Sequence, residues 1–387
     1  MSSLVKVTTD SGLEVTSWDA LNLRDQFDDP LGEFTLELSP TPAQLKTFKD
    51  AFGKGVVARL TIDEAPQAVF LIESMDVSIS AERGVMMSIT GKTPLCVPYE
   101  GGVDPRLSLS AKRDTSALDY VRKVLKPYGL DTIADDERAA LDVMTGRSRN
   151  RERGPRVIAN RLQWRDAQPN ENESAYRFIA RIITRLGVCL RMGPTGDVLV
   201  TAPHYEQPTE YTLVSDSAGR LQGNRFIGGI QISETNRDQF SEITVRGMAL
   251  ENRKKRRTTT PSATVSAAIH NPLRPAYMAE GRASYKPLFL KDKNARDVSR
   301  CRSVARLAHG MRARDAMQVR GRVQGFRSRE GALWTVDTLV RVVVPEYGLD
   351  EEMWIYERTF RLDARDGETT ELTLLPKGAL QLGEIPA

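Results

Sequence analysis

Apolar and polar positions alternate at period two through much of the first hundred residues. From Val56 to Ile62 the side chains of Val56, Ala58, Leu60 and Ile62 share one face, and Met75, Val77 and Ile79 resume the alternation further on. Ala81-Glu82-Arg83-Gly84 then supplies a turn, its glycine suited to a positive φ, before the next strand from Val85 to Ile89. The pattern predicts a half-buried antiparallel sheet. Thr93-Pro94-Leu95-Cys96-Val97-Pro98 breaks it, and a domain boundary is expected near Pro98 to Pro105.

The period changes beyond that point. Leu118, Val121, Leu125 and Tyr128 fall on one helical face that Gly129 closes as a left-handed cap, and Tyr176, Ile179, Ile183 and Leu186 mark a second amphipathic helix between about Glu173 and Leu186. Val188 to Met192 and Val198 to Thr201 read as strands around the loop Gly193-Pro194-Thr195-Gly196-Asp197. Together these predict a small α+β unit. Arg147 to Arg165 lacks periodicity and is expected to be a long loop.

Strands return from about Tyr211, including Ile230 to Ile232 and Ile243 to Val245, and are interrupted by an excursion from Arg253 to about Ala316. The excursion closes on a helix from about Ala295 to Arg314. Val298, Cys301, Ala305, Ala308 and Met311 give that helix a thin apolar stripe, while Arg296, Arg300, Arg302, Arg306, Arg312 and Arg314 occupy much of the rest.

The end of the chain repeats the layout of its beginning. Ile72 to Gly84 and Ile355 to Gly367 align without a gap, and their apolar positions and turn glycine coincide. A strand precedes each copy, Val56 to Ile62 or Leu339 to Val344, and another follows, ending near Ile89 or Leu374. Three strands in one order point to a structural repeat, with the α+β unit inserted between two related β-domains.

Charge sharpens this picture more than composition does. The 387 residues carry a formal +4, but Arg253 to Arg329 holds 15 Arg and 5 Lys against Glu280, Asp292, Asp297 and Asp315, so that this stretch is +16 and the remainder −12. Such a division suits either phosphate binding through the basic part or the joining of acidic and basic surfaces of separate copies. The run Arg253, Lys254, Lys255, Arg256 and Arg257, with Arg300, Arg302 and Arg306, supplies candidate interface or phosphate contacts. No aromatic residue between Thr258 and Ala268 offers a platform for bases.

Catalytic chemistry finds few anchors. His204, His270 and His309 lie far apart, Cys96, Cys189 and Cys301 form no paired spacing, and neither a phosphate loop nor a nucleophile elbow is present, so no metal, cofactor or catalytic residue is expected. Asp28-Asp29, Asp135-Asp136-Glu137 and Asp350-Glu351-Glu352 read as solvated loops. No apolar run reaches the roughly 18 residues needed to cross a bilayer, so no membrane insertion by this chain is expected.

Four stretches carry a family resemblance: Leu118 to Gly129, Ala175 to Thr201 with Leu186-Gly187-Val188 at its turn, Phe240 to Gly247, and Gly331-Ala332-Leu333-Trp334 to Pro376. In order and spacing the chain resembles the baseplate hub protein of Mu-like contractile-tailed bacteriophages, itself related in fold to the hub protein of T4-like phages. The resemblance covers most of the chain, and departs from the family at Arg147 to Arg165 and in the details of the Arg253 excursion.

The resemblance implies a mainly β fold: a tail-tube-like antiparallel β-barrel in 1–100, an α+β insertion in 105–205, a second barrel from 210–252 and 317–387, and a basic, helix-containing excursion in 253–316. It further implies a non-enzymatic homotrimer in the virion tail baseplate, assembled in the host cytoplasm. Six barrels per trimer would adapt the six-fold tail tube to the three-fold central spike and outline the DNA exit channel. The implied partners are the spike, the tube or tube-initiator protein and the baseplate wedge proteins, with DNA only as passing cargo. Two alternatives stand beside it: a nucleic-acid-binding protein using residues 253–329, and a tail-associated cell-wall hydrolase acting through Asp135 or Glu137.

Overall fold

The computed structural model describes residues 3–82, 84–103, 117–134, 169–170, 172–184, 188–235, 237, 239–248, 250–252, 257–266, 285–292, 295 and 298–380. The chain is mainly β. Its N-terminal part comprises β1 (Val5–Thr9), β2 (Glu14–Val15), β3 (Ala20–Gln26), β4 (Glu33–Leu38), β5 (Val57–Ile62), β6 (Ala65–Ser80) and β7 (Gly84–Lys92). The insertion adds β8 (Thr132–Ala134), β9 (Cys189–Met192) and β10 (Val198–Thr201). Next come β11 (Thr209–Val214), β12 (Asn224–Glu234), β13 (Glu242–Arg246), β14 (Leu250–Asn252), β15 (Arg257–Thr259), β16 (Ser262–Ser266) and β17 (Pro287–Lys291). The chain ends with β18 (Met317–Gln324), β19 (Leu339–Val344), β20 (Leu349–Asp363) and β21 (Gly367–Pro376).

One 13-stranded sheet holds both ends of the chain, in the order β19-β11-β12-β18-β21-β20-β3-β4-β7-β6-β5-β1-β2. Because β19 also pairs with β20, the first six strands of that order close into a barrel, and β3 continues the sheet from β20 into the N-terminal strands. The apolar faces of both parts form one continuous core, from Val7, Leu36 and Phe70 to Phe326, Phe360 and Leu374. Period-two alternation accounts for most of it. β1 and β5 bury every second residue, as half-covered strands must.

The repeat is reproduced strand by strand. β6 ends at Ser80 and β7 begins at Gly84, while β20 ends at Asp363 and β21 begins at Gly367, each position 283 residues on. Gly84 and Gly367 have φ of 69° and 67°, so each tight turn uses a left-handed residue that a side chain would strain. The same β-bulge recurs too: the register slips between Ile72 and Ser74 opposite Gly91 and Thr90, and between Ile355 and Glu357 opposite Leu374 and Thr373. In both parts the strand order is the same, with β5-β6-β7-β4-β3 matching β19-β20-β21-β18-β12.

Val77 and Ile79 depart from the expected half-burial. Beyond the bulge the β6–β7 hairpin runs clear of the core, leaving Val77 39% and Ile79 71% exposed. Helix α1 (Pro42–Ala51) starts on a capping box between Thr41 and Gln44 with Pro42 in its first turn, and Phe52 just past its end is fully buried.

The insertion unit packs α2 (Cys96–Glu100), α3 (Ala117–Leu125) and α4 (Ala175–Ile183) beside the sheet β8-β10-β9. Val121 and Leu125 are buried as the period predicts, Tyr128 is partly buried, and Gly129 adopts φ 70° after the short 3-10 turn Lys126–Tyr128. On α4, Ile179 and Ile183 are buried, and Phe178 and Ile182 join them, so the inward face is wider than the predicted stripe. Leu186 and the loop Arg147 to Arg165 lie outside the described residues.

The excursion has its own small core. β13 leaves the barrel and pairs with β16 and β17, so the unit begins near Thr235, whose amide bonds to the Ala316 carbonyl, rather than at Arg253. Helix α5 (Val298–Ala316) buries Cys301 and Ala305 against this sheet, whereas Val298 and Met311, expected in the same stripe, are 49% and 47% exposed. Only the middle of the helix lies on the sheet, so the ends of its stripe face outward. Among the described residues no helix is long and apolar enough to cross a membrane.

Candidate functional site

The two β parts meet where β3 pairs antiparallel with the second half of β20, from Gln26 opposite Glu357 to Ala20 opposite Asp363. Leu23 faces Phe360 and Leu21 faces Leu362, and Leu21, Leu23 and Phe360 are buried. On the other face Arg24 binds Glu357 at 2.7 Å, with Asp29 at 3.5 Å and Glu33 at 3.9 Å. Burial works against the Arg24 charge, but the Glu357 hydrogen bond and these carboxylates outweigh it and raise the guanidinium pKa.

Arg358 is the buried cation of this seam, 4% exposed. It donates to the Trp334 carbonyl at 2.5 Å and to Gln67 at 3.3 Å, lies over the Phe360 ring at 4.5 Å, and reaches Asp25 at 3.5 Å. Burial lowers its pKa, with Asp25 opposing the shift. Asp25 is shared with Arg191 of β9, also 3.5 Å away, so one carboxylate ties the N-terminal strands, the C-terminal barrel and the insertion together. A cavity of about 250 Å³ opens beside these groups, lined by Arg24, Asp29, Thr93 and Gln67 among others.

The excursion is pinned by its last arginine. Arg314 binds Asp315 at 2.8 Å and Asp28 at 3.1 Å, and its guanidinium lies 5.9 Å from the Tyr356 ring centre. Burial opposes its charge, but the hydrogen bond to Asp315 and the neighbouring Tyr356 and Asp28 raise the pKa. Tyr356 in turn donates to Asp28 at 2.5 Å, and burial followed by the Asp28 charge pushes its phenol pKa up. Further along, Arg312 and Lys286 both sit over Phe240, at 5.5 and 5.1 Å. Asp28 and Asp29 are therefore partners of Arg314 and Arg24, not solvated loop carboxylates as expected. Asp350 and Glu352 do lie at the surface, paired with Arg341 and Lys377.

Of the candidate basic residues, Arg253, Lys254, Lys255 and Arg256 lie outside the described residues, as do Asp135 and Glu137. Arg257 begins β15 and Arg300 lies in the first turn of α5. Arg302 is exposed and Arg306 half-buried on the same helix. Arg314, Arg358 and Arg24, which hold the parts together, were not singled out as site residues. Arg24 and Arg314 are each followed directly by an aspartate and Arg358 follows Glu357, local patterns too common to mark them, and only the fold brings Glu357, Asp28 and Asp25 to their partners.

Other polar clusters are smaller. His204 Nδ1 lies 2.6 Å from Asp337, which also accepts the Trp354 indole N–H at 2.8 Å, so this carboxylate serves to orient two rings. Among the described residues no group of three or more His, Cys, Asp or Glu side chains is placed to hold a metal ion.

This architecture is that of phage tail proteins. The chain superposes on the tail protein from Neisseria meningitidis MC58 with a TM-score of 0.72 at 17% identity, covering 99% of this chain and 98% of that one. The 43 kDa tail protein of prophage MuSo2 from Shewanella oneidensis gives 0.73 at 16% identity, covering 98% and 100%. The E. coli c3393 protein, described as a component of the type VI secretion system with structural similarity to the T4 tail proteins gp27 and gp5, gives 0.50 at 8% identity, covering 98% and 79%. No curated relative matches the chain. In sequence, residues 296–383 match the family model of the fourth domain of the Mu phage baseplate assembly protein GpP. The resemblance to Mu-like baseplate proteins thus stands on α5 and the closing barrel strands in sequence, and on the fold across the whole chain.

Proposed function

We propose that this chain is the structural baseplate hub of a contractile phage tail: a homotrimer that adapts the six-fold tail tube to the three-fold central spike and outlines the DNA exit channel. The observation that carries this reading is the internal repeat, in which two like β units with the same turn, bulge and strand order are joined by a strand pair within one chain. Three copies would present six near-equivalent units to the tube and three chains to the spike. The function is mechanical and needs no catalytic residue. Its partners are the spike, the tube or tube-initiator protein and the wedge proteins, in a virion tail assembled in the host cytoplasm.

The basic excursion fits this reading as a charged surface that orients neighbouring subunits, with Arg253 to Arg257, Arg300, Arg302 and Arg306 facing acidic parts of another copy. Light scattering tests both statements. The wild-type chain is expected to have the mass of three copies and to capture the adjacent spike protein. Arg300→Glu, Arg302→Glu and Arg306→Glu together are expected to weaken the assembly, more so at low salt. A wild-type monomer at all concentrations would overturn the hub reading, and an unchanged triple variant would remove these arginines from the interface.

A further inference from the structure

The internal seam between β3 and β20 has a counterpart that the single chain leaves open. In β20 the first half pairs with β19 and the second half, past the bulge, pairs with β3. In β6 the first half pairs likewise with β5, but past its bulge the edge from Glu73 to Ile79 meets no strand among the described residues. At the other end of the sheet, β12 occupies the place in its repeat that β3 occupies in the first. It pairs with β18 as β3 does with β4, and beyond Arg225 its outer edge is likewise unpaired among the described residues.

Equivalent residues carry equivalent chemistry. The repeat maps Phe360 and Leu362 of β20 onto Val77 and Ile79 of β6, and it maps Leu21 and Leu23 of β3 onto Ile230 and Ile232 of β12. Within the chain Leu21, Leu23 and Phe360 are buried against one another, whereas Val77 and Ile79 are exposed and Ile230 and Ile232 only partly buried. An apolar, unpaired strand edge in a free molecule is a template for adding another strand. Among the described residues this chain has two such edges with matching residues.

We propose that β6 of one copy pairs antiparallel with β12 of a second copy of this chain, in the register of the internal seam. Val77 then lies opposite Ile232, Ser78 opposite Gln231 and Ile79 opposite Ile230, as Phe360, Arg361 and Leu362 lie opposite Leu23, Asn22 and Leu21. The contact is head-to-tail, so every copy offers one edge and accepts another, and the sheet runs on from chain to chain. This rests on the oligomeric reading above and specifies which strands make it and in what register.

Cysteine pairing reads the register directly. In a Cys96→Ser background, Ser78→Cys with Gln231→Cys places two exposed positions face to face, so mild oxidation is expected to give disulfide-linked multimers on a non-reducing gel. Ser78→Cys with Ser233→Cys, displaced by two residues on the same face, is expected to link poorly, because diagonal Cβ atoms about 7 Å apart are beyond disulfide reach. Independently, Ile79→Lys is expected to weaken self-association about tenfold or more while leaving the melting temperature of the isolated chain unchanged, since the side chain is mostly exposed until a strand covers it. An assembled chain that fails to link through Ser78 and Gln231, or links equally in both pairs, would overturn the strand pairing and leave the hub reading standing. A chain that never assembles would overturn both.

Discussion

At the scale of single residues, arginine has two roles that its sequence position does not distinguish. Arg302 stands in water on α5, whereas Arg358 is enclosed between a carbonyl, an aromatic face and the Asp25 carboxylate. Its removal leaves more than a void, because Asp25 and the Trp334 carbonyl lose a charged donor inside the seam. Arg358→Ala is expected to destabilise the protein by about 3 kcal/mol, and Arg358→Met, which keeps the stem volume, by distinctly less. Urea denaturation of the two variants beside the wild type checks the difference. Equal losses would place the cost in the lost charge and its hydrogen bonds alone, since Met keeps the packing.

At the scale of an element, the start of α4 couples helix capping to charge. Ser174 accepts from the Arg177 amide at 3.3 Å, and the neighbouring Glu173 holds Arg181 through two bonds of 2.8 Å while accepting from the Asn170 amide at 2.8 Å. Burial alone would raise the Glu173 pKa, but these donors outweigh it and hold the carboxyl below its usual value. A depressed folded pKa means stability that is present above the unfolded pKa and lost as pH falls through the folded one. The wild type is therefore expected to lose its advantage over Glu173→Gln below about pH 4, with the two melting curves converging in acid. A difference that stays constant from neutral pH to pH 3 would contradict the assignment.

The elements themselves were largely readable. Period-two runs marked β5, β6 and β7, period 3.6 marked α3 and α4, and Gly84, Gly129 and Gly367 marked the turns they make. Burial at the ends of elements was not, because it depends on what lies opposite. Val77 and Ile79 alternate like core residues and project into solvent, and Met311 lies on an apolar stripe yet is exposed.

At the scale of the whole molecule, separate units are fastened by few side chains, and Arg314 is the clearest of them. From the end of α5 it reaches Asp28 of the N-terminal part and Tyr356 of the barrel, so it anchors the excursion to both. Arg314→Ala is expected to cost about 1–2 kcal/mol and, more tellingly, to speed tryptic cleavage and hydrogen exchange in 285–316 while the barrel strands stay protected. Uniform loosening of the whole chain would instead mean that excursion and barrel unfold as one. The match of residues 296–383 to a single family domain spans α5 and the barrel strands together, in keeping with this anchor.

Sequence by itself determined the mainly β character, the α+β insertion and the internal repeat, because hydrophobic period and turn glycines are local properties that the chain states twice, 283 residues apart. Tertiary structure alone decided that the two parts share one sheet, that β13 belongs to the excursion, and that Asp25 pairs with Arg358 and Arg191 and Asp28 with Arg314. The shared sheet and the ion pairs depend on strand edges and charges meeting across hundreds of residues, and the place of β13 depends on which strands it meets, which no local pattern encodes. The same holds for the edges of β6 and β12: alternation shows them to be strands, and only the folded sheet shows that, among the described residues, each lacks the neighbour its counterpart already has.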